Sequence, residues 1–159
     1  MIRKIKIADF DFIFNLYMHP LVNPFLLYEI MEAADFKPIF DELEKAGIIY
    51  IFEKEGKDAG MFKLIPQLHR NHHIAYLGGL AIDPNFSGKG YGETMLQQII
   101  ILAKQMGFLR IELSADVNNL RAIRLYEKLG FQKEGLLRKY THLIKESRYV
   151  DEVMMAYLC

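Results

Sequence analysis

The sequence predicts an α+β (mixed α/β) domain with a central mixed, mostly antiparallel sheet of about six to seven strands and four helices. The first ground is the element order, β-α-α-β-β-β-α-β-α-β-β, in which runs of neighbouring strands surround one β-α-β crossover. The second is composition: 159 residues, 52% hydrophobic and 25% charged, suit one packed core, so residues 1–159 read as a single domain. The third is the single cysteine, Cys159, which leaves no internal disulfide and no cysteine metal cluster to hold the fold.

Residues 2–7 interleave isoleucines with basic residues and read as a short β-branched strand. Asp9 is placed to cap a helix through about Met18, with Phe10, Ile13, Phe14 and Tyr17 at helical spacing. His19-Pro20 ends it, since a residue before proline leaves the α region. Residues 21–34 are an apolar connection or a broken helix, interrupted at Pro24, after which Asp35 is expected to cap a second helix that stops at Gly47. Residues 48–54 and 59–64 form a hairpin around the turn Glu55-Gly56-Lys57-Asp58. Residues 66–71 are loop, and 73–82 an apolar strand containing Gly78-Gly79. After a loop at 83–92, residues 93–106 repeat apolar pairs at helical spacing up to the stop at Gly107. Residues 108–116 are strand, 119–129 a helix closed by Gly130, and 131–140 and 149–158 the last two strands.

The loop Asp83-Pro84-Asn85-Phe86-Ser87-Gly88-Lys89-Gly90-Tyr91-Gly92 carries the most chemistry. Glycines at alternate positions between a buried strand and a helix start let backbone N–H groups converge on an anion, helped by the positive helix end. A phosphate cradle and an ordinary tight β-α loop both fit this stretch alone. It is neither a dinucleotide fingerprint, since Glu93 stands where the third glycine belongs, nor a P-loop, since Asp83 and Gly90 occupy required Gly and Ser/Thr positions.

Two motifs in order give a resemblance. Leu80-Ala81-Ile82-Asp83-Pro84 followed by Ser87-x-x-Gly90-x-Gly92 resembles the pyrophosphate-binding motif of the GNAT superfamily of acyl-CoA-dependent N-acetyltransferases. Asn119-Leu120-Arg121-Ala122-Ile123-Arg124-Leu125-Tyr126-Glu127-Lys128-Leu129-Gly130-Phe131 is similar to that superfamily's Asn-x-x-Ala-x-x-x-Tyr-x-x-x-Gly-Phe helix. The resemblance implies acetyl-CoA as co-substrate, held by Leu80, Ala81, Ile82, Ser87, Gly88, Lys89, Gly90, Tyr91, Gly92 and Asn119. It also implies that Tyr126 is the acid that protonates the leaving sulfur. Ser87 stands where the superfamily usually carries Arg or Gln. A cradle made of backbone N–H groups tolerates that change, with Lys89 adding charge.

The strand at 73–82 lacks the carboxylate that many members use as general base. Glu112, Ser114, His72, His73 and Glu29 are candidates, and a water chain is the alternative. His69-Arg70-Asn71-His72-His73 lacks convincing metal-ligand spacing, so no metal is expected, and Arg70 is a candidate partner for an acceptor carboxylate. Residues 71–78, with 134–140 and 149–155, resemble the bacterial small-molecule subgroup that includes L-amino-acid N-acetyltransferases. The implied acceptor is a small primary amine, an amino acid first, with a polyamine or a ribosomal-protein N-terminus as alternatives. Glu29, Glu32 and Asp35 would suit a polyamine, whereas the apolar stretch 25–31 suits a hydrophobic amino acid.

Other classes fit less well. Twenty Lys+Arg against twenty Asp+Glu provide no basic excess for nucleic acid. The run Ile99-Ile100-Ile101-Leu102-Ala103 falls short of the ~20 apolar residues of a membrane span. The first residues lack a signal-peptide core, so a cytoplasmic protein is expected. A homodimer is compatible with the resemblance, and an acyl-CoA-binding module without turnover is the rival from another class.

Overall fold

In the computed structural model, which describes residues 1–159, the chain groups into two compact units. The first comprises residues 1–64 and 79–92, the second residues 65–78 and 93–159. The hydrogen-bonded strand order is β1 (Ile2–Lys4), β2 (Ile49–Lys54), β3 (Lys57–Pro66), β4 (Ile74–Ile82), β5 (Arg110–Asp116), β7 (Arg148–Leu158), β6 (Gln132–Leu143). Seven strands and four helices of nine or more residues match the sequence expectation, and a fifth, four-residue helix adds to it.

In the first unit, β1 (Ile2–Lys4) pairs antiparallel with β2 (Ile49–Lys54), which pairs antiparallel with β3 (Lys57–Pro66). The register sets Ile51 opposite Met61, and these two share a buried cluster with Ile49, Ile13, Leu16, Tyr17, Phe36 and Phe40. The helical members come from α1 (Phe10–Met18) and α3 (Ala33–Ala46). Rings do much of the filling. Phe36 lies 5.7 Å from Phe14, 5.2 Å from Tyr17 and 6.3 Å from Tyr28 between ring centroids.

Two expectations change here, and one open alternative is resolved. Asp9 does not cap α1; it accepts from the Lys6 N–H at 2.7 Å and pairs with Arg3. Arg3 also reaches Glu53 on β2 and Asp58 on β3, at 2.8 and 2.9 Å. One guanidinium thus ties the first strand and the following turn to the hairpin, which is stronger use of the carboxylate than a cap. The second helix starts at Ala33 rather than at Asp35, with Glu32 in the cap position and no side-chain cap bond. The apolar connection contains α2 (Asn23–Leu26), where the buried Asn23 side chain donates to the Tyr17 and Tyr28 carbonyls at 2.9 and 3.0 Å.

In the second unit, the opening of β4 (Ile74–Ile82) runs parallel to β5 (Arg110–Asp116), with Tyr76 opposite Glu112 as the last registered pair. A parallel pair needs a crossover, and α4 (Tyr91–Gln105) supplies it. Its buried residues Met95, Leu96, Ile99, Ile100 and Ala103 follow helical periodicity. Then come α5 (Leu120–Lys128), β6 (Gln132–Leu143) and β7 (Arg148–Leu158), with β7 antiparallel to both β5 and β6. β6 runs past the expected end at 140, carried by register shifts after Lys133 and Leu137. No helix is long and apolar enough to cross a membrane.

Candidate active site

The glycine loop belongs to the first unit. The Asp83 N–H donates to the Ala59 carbonyl at 2.9 Å, and its carboxylate accepts from the Asn85 N–H at 2.8 Å. This fixes a 3₁₀ turn at Pro84–Phe86, as expected for Asp before Pro at a turn start. The Ser87 N–H is used within the turn, donating to Pro84 at 3.1 Å. Gly88 and Gly90 then both adopt φ +76°, and a Cβ built on either would meet nothing within 4 Å. Glycine is used here for backbone shape, and the space beside the loop is open. Tyr91 and Gly92 begin α4, where helix geometry leaves N–H groups without intrahelical acceptors. Lys89 is exposed with its Nζ 5.8 Å from the Phe86 ring centre, and with Lys57, Asn85 and Glu55 it lines an open depression. Tyr91 is braced, donating to Glu55 at 2.7 Å. Ala81, on the last part of β4, is buried in the cluster around α1, while Leu80 and Ile82 are half-buried.

Tyr126 and Asn119 belong to the second unit. The Asn119 side-chain oxygen accepts from the Ala122 N–H at 3.3 Å and so caps α5. Gly130-Phe131 closes the helix: the Phe131 N–H returns to the Tyr126 carbonyl at 3.0 Å, and its ring lies 5.9 Å from that of Tyr126. Tyr126 is 8% exposed, and burial, with Tyr76 adding to it, pushes its phenol up to about 12. The hydroxyl therefore keeps its proton throughout the physiological range.

A chain of hydroxyls lies in the same unit. Ser114 on β5 donates to Glu152 at 3.0 Å and so accepts from Tyr76 at 2.7 Å, while Thr141 donates to the other Glu152 oxygen at 2.6 Å. Glu152 is 5% exposed. Two of the other base candidates have other work. Arg110 holds Glu112 at 2.7 Å, and His72 Nδ1 lies 2.8 Å from the His69 carbonyl in an exposed turn.

The sequence profile of the Acetyltransferase (GNAT) family matches residues 10–131. The chain belongs to that family. Among its relatives is the L-amino acid N-acetyltransferase AaaT of Escherichia coli (strain K12), 31% identical over 93 residues, which are 58% of this chain and 56% of that one. Another is the spermine/spermidine N(1)-acetyltransferase of Bacillus subtilis (strain 168), 39% identical over 79 residues, 49% of this chain and 51% of the relative. The matches thus span about half the length of these relatives. The fold is shared with the spermidine N-acetyltransferase from Vibrio cholerae, solved in complex with CoA and spermine. The TM-score is 0.84 at 22% identity, over 99% of this chain and 94% of that one.

For this family member, the structure gathers Leu80, Ala81, Ile82, Ser87, Gly88, Lys89, Gly90, Tyr91 and Gly92 in the first unit, and Asn119 and Tyr126 in the second. Sequence reasoning missed Glu152. Its signal is the period-two pattern of β7, in which Val150 and Glu152 share the buried face and a carboxylate occupies a core position. It also missed that Tyr17 on α1 and Lys63 on β3 both approach Gly79, which depends on tertiary packing.

Proposed function

We propose that this chain is an acetyl-CoA-dependent N-acetyltransferase that passes an acetyl group directly to the primary amine of a small molecule, an amino acid. We read residues 1–159 as one catalytic domain, a reading supported by the family match, which runs through residues of both units. The observation that carries the proposal is the loop at 87–92, with two glycines at φ +76° and open space where side chains would stand. Such backbone fits a diphosphate, accepting it on N–H groups at a helix start. That is the recognition a coenzyme A thioester requires, and the activated acetyl group is what the co-substrate supplies.

The residues then divide the work. The loop from Ser87 to Gly92 holds the diphosphate, with the Lys89 charge beside it. The backbone of Leu80, Ala81 and Ile82 aligns the pantetheine arm as an added strand. Asn119, whose side-chain oxygen is committed to the helix cap, contacts the arm through its NH₂ group. Tyr126 donates its proton to the departing sulfur, which would otherwise leave as a poorly solvated anion. The proton lost by the amine travels along Tyr76 and Ser114 to Glu152, a buried carboxylate at the end of a hydrogen-bonded path. The relatives' names support an amine acceptor of small size, and the amino-acid reading follows AaaT.

The test is coenzyme release, read as free thiol, over a panel of amino acids, polyamines and peptide N-termini. Turnover with amino acids above all other amines is the expected result. Acetyl-CoA binding without turnover on any amine would make the chain an acyl-CoA-binding module instead.

A further inference from the structure

Two hydrogen-bond donors in the first unit stand out, one of them fully buried. Tyr17, on α1, is 2% exposed, and its hydroxyl is the one buried side-chain polar atom without a hydrogen-bond partner. Lys63, on β3, is half-buried. Burial alone pulls its ammonium below the usual lysine range, and no carboxylate opposes that pull. Both groups converge on Gly79 of β4. A Cβ built there would stand 3.2 Å from Tyr17 Oη and 3.2 Å from Lys63 Cε. Gly79 itself has φ +57°, so a glycine lets the backbone approach both side chains.

A buried phenol without a partner, next to the stem of a half-buried lysine, is unfavourable unless something else uses it. The phenol oxygen could accept from the ammonium, but Tyr17 Oη has no partner, and the ammonium has no acceptor capacity at all. Their common complement is an anionic oxygen, and a carboxylate offers two. A polyamine offers only cations, which Lys63 repels. The surroundings suit an apolar side chain attached to that carboxylate: Tyr28 and Phe36 stand 4.9 and 5.2 Å from the Tyr17 ring. The long lysine stem is the adaptable part, since its rotatable bonds let the ammonium swing aside and return onto a bound oxygen.

We propose that Tyr17 and Lys63 form the subsite that binds the carboxylate of an amino-acid acceptor. This rests on the acetyltransferase reading above and narrows it to acceptors that carry a carboxylate beside the amine. Arg70, the sequence candidate for that role, is exposed in the turn His69–Asn71 of the second unit.

The experiment compares leucine, methionine and phenylalanine with their uncharged amides, using the full chain and its Lys63→Met, Lys63→Arg and Tyr17→Phe variants. Losing a charge-assisted bond should raise KM for the amino acids by about ten- to a hundredfold in Lys63→Met. KM for the amides should stay unchanged, and Lys63→Arg should recover part of the loss. Tyr17→Phe should raise KM for the amino acids about three- to tenfold with no loss of melting temperature, because the deleted hydroxyl bonds to nothing in the free chain. An equal effect on amino acids and amides would overturn the proposal, and so would an equal fall of kcat with KM unchanged, which assigns the donors to the thioester carbonyl. A wild-type preference for spermidine over all three amino acids would overturn it as well. If no amine turns over, calorimetry with leucine decides separately. Binding to wild type that is lost in Lys63→Met keeps the subsite while the enzymatic reading falls, and no binding to either removes both.

Discussion

Replacing Gly90 with leucine separates folding from coenzyme binding. Gly90 has φ +76°, a conformation that costs an L-residue roughly 1–2 kcal/mol. Nothing lies within 4 Å of the new Cβ, so no packing clash adds to that cost. For a chain of this size each kcal/mol moves the melting temperature by about 2–4 °C, so the free variant should melt about 2–8 °C lower. The same side chain fills the open space beside the loop, where the diphosphate is proposed to lie. Acetyl-CoA at about 100 times its dissociation constant should stabilise wild type by ~2.7 kcal/mol, a rise of roughly 5–11 °C. Gly90→Leu should lose that rise while still unfolding cooperatively. Thermal melts with and without acetyl-CoA, paired with calorimetric titration, read both effects. A variant that binds acetyl-CoA as tightly as wild type would refute the cradle, and a free-state loss far beyond 8 °C would refute the account of the loop as unpacked backbone.

Tyr126→Phe keeps the ring against Phe131 and removes the proton donor, so kcat should fall about 10²–10⁴-fold with acetyl-CoA affinity unchanged in titration. Glu152→Gln removes the proton sink and leaves one oxygen to accept from either Ser114 or Thr141, so kcat should fall by roughly tenfold or more in initial-rate measurements. Phe36→Ala opens a fully buried ring site and should cost about 3–5 kcal/mol in urea unfolding. Arg3→Met tests the acid limb of stability. Burial alone would raise the Asp9 carboxyl, but hydrogen bonds from Arg3 and the Lys6 N–H outweigh it and hold it below the usual carboxylate range. That contribution is fully present above the unfolded carboxylate range near pH 4 and is lost as pH falls through the lowered folded value. Arg3→Met should therefore lower stability at neutral pH, by no more than about 3–5 kcal/mol, and flatten its fall in acid.

What the sequence made readable is local. The crossover helix α4 announces itself through paired apolar residues from Met95 to Ala103, and α5 through Asn119 at its start and Gly130-Phe131 at its end. The loop at 83–92 is equally legible, because Asp-Pro and alternate glycines specify backbone shape whatever packs nearby. The start of α3 was misread because Asp35 is a good cap by type, yet Phe36 and Phe40 bury into the aromatic cluster and packing sets the helix phase. Asp9 was misread for the same kind of reason. Its partner Arg3 is close in sequence, but the Glu53 and Asp58 carboxylates that complete the arrangement arrive only when the hairpin docks. The approach of Tyr17 and Lys63 to Gly79 leaves no trace in spacing at all, since it joins a helix, a strand and a glycine from separate parts of the chain.

The most direct measurement follows the acetyl group. The chain is mixed with acetyl-CoA labelled in the acetyl carbonyl and with leucine, and thiol, labelled amide and labelled protein are quantified over one turnover. Direct transfer predicts that free thiol and N-acetylated leucine appear together, one for one, with no label held covalently on the protein. Label accumulating on the protein before the amide forms, or thiol appearing without acetylated leucine or any other acetylated amine, would contradict it.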